Sequence, residues 1–325
     1  MWLKKNEYAE RLREEIDNAV SNSVSYISGM EIFPLINYAI GHDGKRLRPM
    51  MSIVIAEALG KRREDVMNLA LAFEMLHTAT LVHDDIIDGD ELRRRAPSVN
   101  KRWGRDAAIL VGDALISLGI RFSSSYGQEV ISRVADYGIS LCNGEYIDIA
   151  EERNTDVDYY LRKIYLKSAS LFKAVAECAG VAADAQPNIV SKLSRFGENF
   201  GMAYQIRDDI VDTFINGNEP GKDLIDGKIT LPLVYLYNMS DEKGRGAIRM
   251  SIAEIRSEKD VSARISIAKS IVEMMHDSGS IDYSKKMISD YTSKGLDDLE
   301  VLPEGFYRDY LKSMLKGIES GEISP

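Results

Sequence analysis

The sequence predicts an all-α fold. Three observations predict it: long stretches carry apolar residues at helical spacing, only eight prolines interrupt 325 residues, and strand-like alternation is hard to find. Residues 4–25 read as a charged amphipathic helix and 31–41 as a short second one. Gly41-His42-Asp43-Gly44-Lys45-Arg46-Leu47-Arg48-Pro49 then makes a glycine-rich basic turn into a helix, where backbone amides and basic side chains form an anion site. It also reads as a plain basic turn. Residues 50–60 and 64–88 are strongly apolar helices, and the second ends in Asp84-Asp85-Ile86-Ile87-Asp88. Small residues in 104–127 suggest close helix packing. Residues 129–152 carry Asn143-Gly144-Glu145-Tyr146-Ile147-Asp148, and 156–179 carry Lys167-Ser168-Ala169-Ser170. A lysine in so small and apolar a stretch reaches into a cleft; the plainer reading is a surface lysine.

The helix 188–214 bears a second cluster, Asp208-Asp209-Ile210-Val211-Asp212. The loop 216–232 follows, and its glycines make it mobile, so that Lys222 and Lys228 close over bound phosphate. Residues 244–318 read as three or four further helices with charged faces and no catalytic pattern. No linker with a composition shift and no fixed-period repeat divides the chain, so 1–325 is expected to be one domain.

Composition excludes some function classes. A net charge of −10 offers no global basic field to nucleic acid or anionic membrane. A phosphate-bearing substrate must be held by local cations. Cys142 and Cys178 lie far apart, without metal-type spacing, which points to a reduced, cytoplasmic setting. The first residues lack an apolar core of signal-peptide length, and no uninterrupted apolar run reaches membrane-spanning length. No membrane anchor is expected.

The two aspartate clusters carry the chemistry. Residues four apart share a helix face, so Asp84 and Asp88 aim at one point while Asp85 sits about 100° round. Carboxylates so close call for a cation, and oxygen-only ligands favour Mg²⁺ over Zn²⁺. Mg²⁺ takes one or two carboxylates and completes its shell with water and phosphate. Arg93 and Arg94 follow at once, and guanidinium forks suit phosphate oxygens. The second cluster repeats the pattern after a largely apolar run, where unpaired carboxylates are costly. His77 lies two turns before Asp84 on nearly the same face.

In this order and spacing, Gly41 to Pro232 resembles a trans-isoprenyl diphosphate synthase (polyprenyl synthetase), the group of farnesyl, geranylgeranyl and longer-chain synthases. The family's Gly-Gly-Lys-Arg-x-Arg-Pro element is matched by Asp43 to Pro49. The resemblance implies isopentenyl diphosphate contacts from Lys45 and Arg48, with Arg46 adjacent, and from His77 and Arg94. It implies Mg²⁺ and allylic diphosphate at Asp84, Asp85, Asp88 and Arg93. Lys167 and Ser168 match a Lys-Thr pair. Gln205, Asp208, Asp209 and Asp212 match a Phe-Gln-x-x-Asp-Asp-x-x-Asp motif, with Tyr204 replacing Phe. Lys228 matches the lysine of a Gly-Lys-x-Thr-x-Pro run. Three departures stand out. His42-Asp43 interrupts the usual Gly-Gly approach, Arg95 replaces a glycine, and Asn218 replaces a phosphate-binding lysine for which Lys222 substitutes.

The resemblance further implies an isoprenoid-synthase-type bundle of long helices around a central cavity, assembled as a homodimer, with the two clusters facing across its mouth. About three Mg²⁺ would bridge them to the allylic diphosphate. The implied reaction is head-to-tail condensation of isopentenyl diphosphate with an allylic prenyl diphosphate, with Asp84, Asp85, Asp88, Arg93, Lys167 and Asp208 as the catalytic set. Large side chains four or five positions before the first aspartate stop growth early in the family. Thr80 and Ala79 stand there and are small. Leu76 and Phe73, the latter about 16 Å back along the helix, are deeper blockers or ordinary core. Geranylgeranyl or longer product is expected. A terpene cyclase, or a non-catalytic subunit of a heteromeric synthase, is the alternative.

Overall fold

The computed structural model describes residues 2–42, 44–94, 96–150, 155–215 and 219–323, without the side chains of 2–5. In chain order its longer elements are α1 (Trp2–Ser23), α2 (Phe33–Ile40), α3 (Leu47–Ala58), α4 (Arg63–Ile87), α5 (Val99–Trp103), α6 (Arg105–Ser123), α7 (Gly127–Ala150) and α8 (Val157–Ile164). They continue as α9 (Ser170–Ala182), α10 (Pro187–Thr213), α11 (Lys222–Ile225), α12 (Leu231–Met239), α13 (Glu242–Ser257), α14 (Val261–Ser278), α15 (Ser280–Asp298) and α16 (Phe306–Ser320). Two-residue antiparallel ladders pair Leu92 with Pro97 and Arg93 with Ala96, then Phe214 with Pro220 and Ile215 with Glu219. The all-α expectation holds. The short helices α5, α11 and α12 were not expected.

Packing divides the chain into two units. The first comprises Met1–Asp136, Val175–Val190 and Leu302–Leu311. Its central element is α4, which packs on α1, α2, α3, α5 and α6. Its buried residues include Leu69, Ala70, Phe73, Met75, Leu76 and Ala79, an apolar surface too wide for a helix with one wet face. Glu64 and Asp65 in its first turn favour the positive helix end. Gly89, with φ +69°, lets the chain leave the helix just beyond Asp88. The last turn thus delivers Asp84, Asp85 and Asp88 to the end of the unit's central helix.

The second unit comprises Tyr137–Ala174, Ser191–Val301 and Lys312–Pro325. Phe172, Phe196, Phe200 and Tyr204 form an aromatic column along α9 and α10, with centroids 5.0–6.4 Å apart. The expected helix 156–179 forms as a continuous helical run, 157–182, with a change of pitch inside it. Asp156 caps α8 by accepting from Tyr159 N at 2.9 Å, and a π turn at Tyr165–Ala169 separates α8 from α9. Such turns insert one residue and re-aim side chains, often at functional sites. Gly144 admits this one: a Cβ there would lie 2.8 Å from Leu166 Cβ and 3.0 Å from Lys167 Cγ.

The 216–232 loop also departs from expectation. Asn216, Gly217 and Asn218 lie outside the described residues. Its remainder is pinned: Arg256 donates to the Gly227 carbonyl at 2.7 and 3.0 Å, and Gly221 N donates to Thr213 O at 2.8 Å. The helical run 105–150 contains a window apolar and long enough to cross a membrane by composition alone, and 39% of that window is buried.

Candidate active site

In the first unit the three aspartates of 84–88 part company. Asp85 is buried and accepts from Arg93, whose Nε lies 2.8 Å away and whose Nη2 also binds it. Asn100 Nδ2 donates at 3.2 Å to the Asp85 and Asp90 carbonyls and holds the turn beyond the helix. Asp84 is half-buried and Asp88 exposed. Burial pushes the Asp85 carboxyl up, against the Arg93 pairing that lowers it.

Arginines gather beside this cluster. Arg48 Nη1 lies 3.0 Å from His77 Nε2. Burial, then Arg48, Arg94 and Arg93, hold His77 well below the usual imidazole range, so it is neutral near pH 7 and its Nε2 accepts. Arg94 is pushed down by burial and by Arg46, Arg93 and Arg48 around it. Repelling cations of this kind make a site for a multiply charged anion. Lys45 is exposed at the head of α3. Arg46 is the correction: it is buried, and its guanidinium is taken up by Asp17 and Glu74. Asp43 and Arg95 lie outside the described residues.

In the second unit the other cluster repeats the division. Asp209 is buried; Tyr160 OH donates to its Oδ2 at 2.5 Å and Gln205 Nε2 to its Oδ1 at 3.0 Å. Ser168 Oγ donates to Gln205 Oε1 at 2.6 Å, which orients that amide. Asp208 is half-buried and Asp212 exposed. Burial, then Asp212, Asp209 and Asp223, drives Asp208 up to about 8; burial also holds Asp209 near 6, against Tyr160 and Gln205. Neighbouring carboxylates this strained are relieved by a cation. Lys228 Nζ lies 3.5 Å from Asp223 Oδ1, while Lys222 opens α11, exposed.

Lys167, on the π turn, reaches Asp148 Oδ2 at 2.6 Å and Glu145 Oε2 at 3.0 Å. Lys163 takes the other Asp148 oxygen at 2.9 Å. Among the four chain-length candidates, Phe73, Leu76 and Ala79 are buried and Thr80 is half-buried. Leu76 fills a notch in α6, where a Cβ on Gly119 would meet its Cγ at 2.7 Å. Glu74, Tyr160 and Asp223 were not singled out by the sequence, nor were roles given to Glu145 and Asp148. Glu74 had a signal, a carboxylate inside an apolar helical run. Tyr160 had none.

Among the described residues no three or more His, Cys, Asp or Glu side chains already converge as a metal cage. The donor set still fits a hard divalent ion. Asp84 with Asp88, and Asp208 with Asp212, offer one or two carboxylates apiece, which suits an ion that keeps water and takes phosphate oxygens.

The polyprenyl synthetase family description matches residues 31–271. The chain is 32% identical over 311 residues to an all-trans-nonaprenyl-diphosphate synthase (geranyl-diphosphate specific) of Rhodobacter capsulatus, covering 93% of this chain and 91% of that one. It is 31% identical over 309 residues to a short chain isoprenyl diphosphate synthase of Methanothermobacter thermautotrophicus, covering 92% and 93%. It superposes with TM-score 0.86, at 26% identity and covering 97% and 96%, on a polyprenyl synthase from Caulobacter crescentus complexed with calcium and isoprenyl diphosphate.

Proposed function

The chain belongs to the polyprenyl synthetase family and is a prenyltransferase that condenses isopentenyl diphosphate with an allylic prenyl diphosphate; from that premise we propose how its residues divide the work. Asp84, Asp88, Asp208 and Asp212 hold the divalent ions, and Asp85 and Asp209 are their anchors. One observation carries this reading. In both clusters the second aspartate is buried among protein donors, while the first and fifth stay more open.

The reading takes the ion as Mg²⁺, about three per site, because all its donors are hard oxygens and phosphate completes its shell. When bound, Mg²⁺ supplies Lewis-acid charge to the departing diphosphate. Arg93 in the first unit, and Lys167, Lys222 and Lys228 in the second, supply fixed positive charge suited to diphosphate oxygens. Lys45, Arg48 and Arg94, with neutral His77 orienting Arg48, grip the second diphosphate and hold its double bond near the allylic carbon. The allylic C–O bond breaks, the double bond attacks, and the released pyrophosphate removes the final proton. Gln205, set by Ser168, keeps Asp208 and Asp209 in register. The whole 1–325 chain acts as one synthase domain in this proposal.

The product is geranylgeranyl or a longer prenyl diphosphate, since no bulky side chain stands at Ala79 or Thr80. The working unit is a homodimer. What supports it is the face of α6 opposite its buried side, where Ile109, Leu110, Ile116 and Ile120 are 37–59% exposed. A cytoplasmic setting belongs to the same proposal, because Cys142 and Cys178 are both free thiols.

The test incubates the purified chain with labelled isopentenyl diphosphate, each allylic starter and Mg²⁺, then chromatographs the dephosphorylated alcohols. Linear alcohols of at least twenty carbons are expected on the isoprene arithmetic. Cyclic hydrocarbon would indicate a cyclase, and inactivity of the chain alone a subunit needing a partner.

A further inference from the structure

Arg46 has the surroundings of a structural hub. Its side chain is 5% exposed. Nε donates to Asp17 on α1 at 2.8 Å, Nη1 binds Glu74 on α4, and Nη2 donates to the carbonyls of Ile40 and His42, both at 3.3 Å. The backbone at Arg46 is left-handed, φ +52° and ψ +31°. An L residue with a side chain holds that conformation only when its surroundings over-determine it.

Glu74 supplies the reason. It is a carboxylate, 3% exposed, inside the apolar length of α4. Such a group is costly unless a cation meets it. Arg46 meets it by turning inward, and its neighbours are set by that turn. Lys45 is left exposed, and Arg48, on the first turn of α3, meets His77 on α4. Residues 44–46 carry no regular secondary structure; the Arg46 carbonyl joins them to α3 by accepting from Met50 N at 2.9 Å, and the Arg46 side chain ties the same turn to α1 and α4.

We infer that Arg46 is a positioning residue for the isopentenyl diphosphate pocket: the Asp17–Arg46–Glu74 lock fixes the 44–46 turn, presents Lys45 and Arg48 to the diphosphate, and makes α1 part of that pocket. The inference rests on the assignment of Lys45, Arg48, His77 and Arg94 to that diphosphate above. It separates the three basic positions of this turn by role. Lys45 and Arg48 touch the substrate, and Arg46 acts through them.

The experiment compares Lys45→Ala, Glu74→Gln, Asp17→Asn and the double variant Arg46→Met/Glu74→Leu with the unaltered chain. KM is measured separately for isopentenyl diphosphate and for the allylic starter, beside the melting temperature. Lys45→Ala is expected to raise the isopentenyl KM at least about tenfold without lowering the melting temperature. Glu74→Gln should raise the same KM by about tenfold and leave the allylic KM within about twofold. Asp17→Asn, on the partly exposed partner, should act in the same direction more weakly. The double variant replaces the buried pair by apolar side chains, and the partly exposed Asp17 keeps Arg13 at 3.7 Å, so its melting temperature should recover. Its isopentenyl KM should stay raised.

Recovery of KM together with melting temperature would make Arg46 merely structural and overturn the inference. So would an unchanged isopentenyl KM in Glu74→Gln while Lys45→Ala responds. An unresponsive Lys45→Ala would instead remove the pocket assignment, and this inference with it. Should Glu74→Gln not fold, the double variant decides alone.

Discussion

The guanidinium groups of Arg46 and Arg94 end on one acceptor. Arg46 Nη2 donates to the His42 carbonyl at 3.3 Å and Arg94 Nη1 to the same oxygen at 3.2 Å. Both arginines have left-handed backbones, φ +52° and +50°. One is buried and the other exposed, so a single carbonyl ties a structural cation to a solvent-facing one.

Gly44 makes this clasp possible. A Cβ at Gly44 would lie 2.7 Å from Arg94 Nη1, so Gly44→Ala must push the guanidinium off its carbonyl. The displaced atoms end a flexible side chain, and little stability should be lost. Gly44→Ala is expected to raise the KM for isopentenyl diphosphate about tenfold, with the melting temperature within about 2 °C of the parent. Steady-state kinetics with each substrate varied in turn checks it. An equal rise in the allylic KM would contradict the assignment.

The two kinds of aspartate should fail differently. Asp84→Ala removes an open ligand and should cut turnover at least about 10²-fold while leaving thermal stability near parental. Asp85→Asn removes the nearer of Arg93's charged partners, leaving Asp90 at 3.8 Å, and should cost about 2 kcal/mol of stability. Urea unfolding beside Mg²⁺-dependent turnover separates them. Near-normal turnover of Asp84→Ala would reject the metal role.

The helices and both clusters were legible because periodicity and charge spacing are local. The burial of Asp85 and Asp209 was not, because it depends on Arg93 and Tyr160, eight and 49 positions away. Arg46 misled for the same reason. In sequence it sits in a basic run beside Lys45 and Arg48, and only Glu74, 28 positions on, turns it inward. The π turn was hidden too, since the apolar pattern of 156–179 runs through it and the close approach at Gly144 comes from another helix. Loop 216–232 looked mobile by composition, yet its anchors, Arg256 and Arg264, lie on later helices.

Acid should probe the Lys167 nest. Burial alone would raise the Asp148 carboxyl, but Lys163 and Lys167 reverse that and hold it at about 2. A folded pKa below the ordinary value of 3.8 means stability fully present above that pH and lost as pH falls toward 2. Asp148→Asn should therefore lower the urea midpoint at pH 7, and the gap to the parent should close between pH 4 and pH 2. A gap independent of pH would refute the pairing. Lys167, raised above its usual range by Asp148 and Glu145 against the effect of burial, stays protonated below pH 10 and should add no alkaline limb to the rate profile.

Ile116 and Ile120 stand on the exposed face of α6, 37% and 46% open, while Leu115 and Gly119 beside them are buried against α4. Charge there should break the proposed association without touching the core. Ile116→Glu with Ile120→Glu is expected to shift the chain from dimer to monomer by sedimentation velocity, with helicity unchanged. An unaltered sedimentation coefficient would place any dimer contact elsewhere.

Product length should answer to the wall of α4 just before Asp84. Thr80, one turn back, is half-buried, and its hydroxyl donates to the His77 carbonyl at 2.8 Å. Ala79 is 1% exposed, so a large side chain there must displace its neighbours. Ala79→Tyr and Thr80→Phe are both expected to shorten the product, with Ala79→Tyr also losing about 1–3 kcal/mol to overpacking. Leu76 belongs to a different mechanism. It is locked into the Gly119 notch, so Leu76→Ala should lose about 2–5 kcal/mol as a core truncation. Chromatography of the dephosphorylated products, run with melting temperatures, distinguishes the two. If Leu76→Ala lengthens the product while Thr80→Phe leaves it unchanged, the floor of growth lies at Leu76 and the wall at Thr80 is only packing.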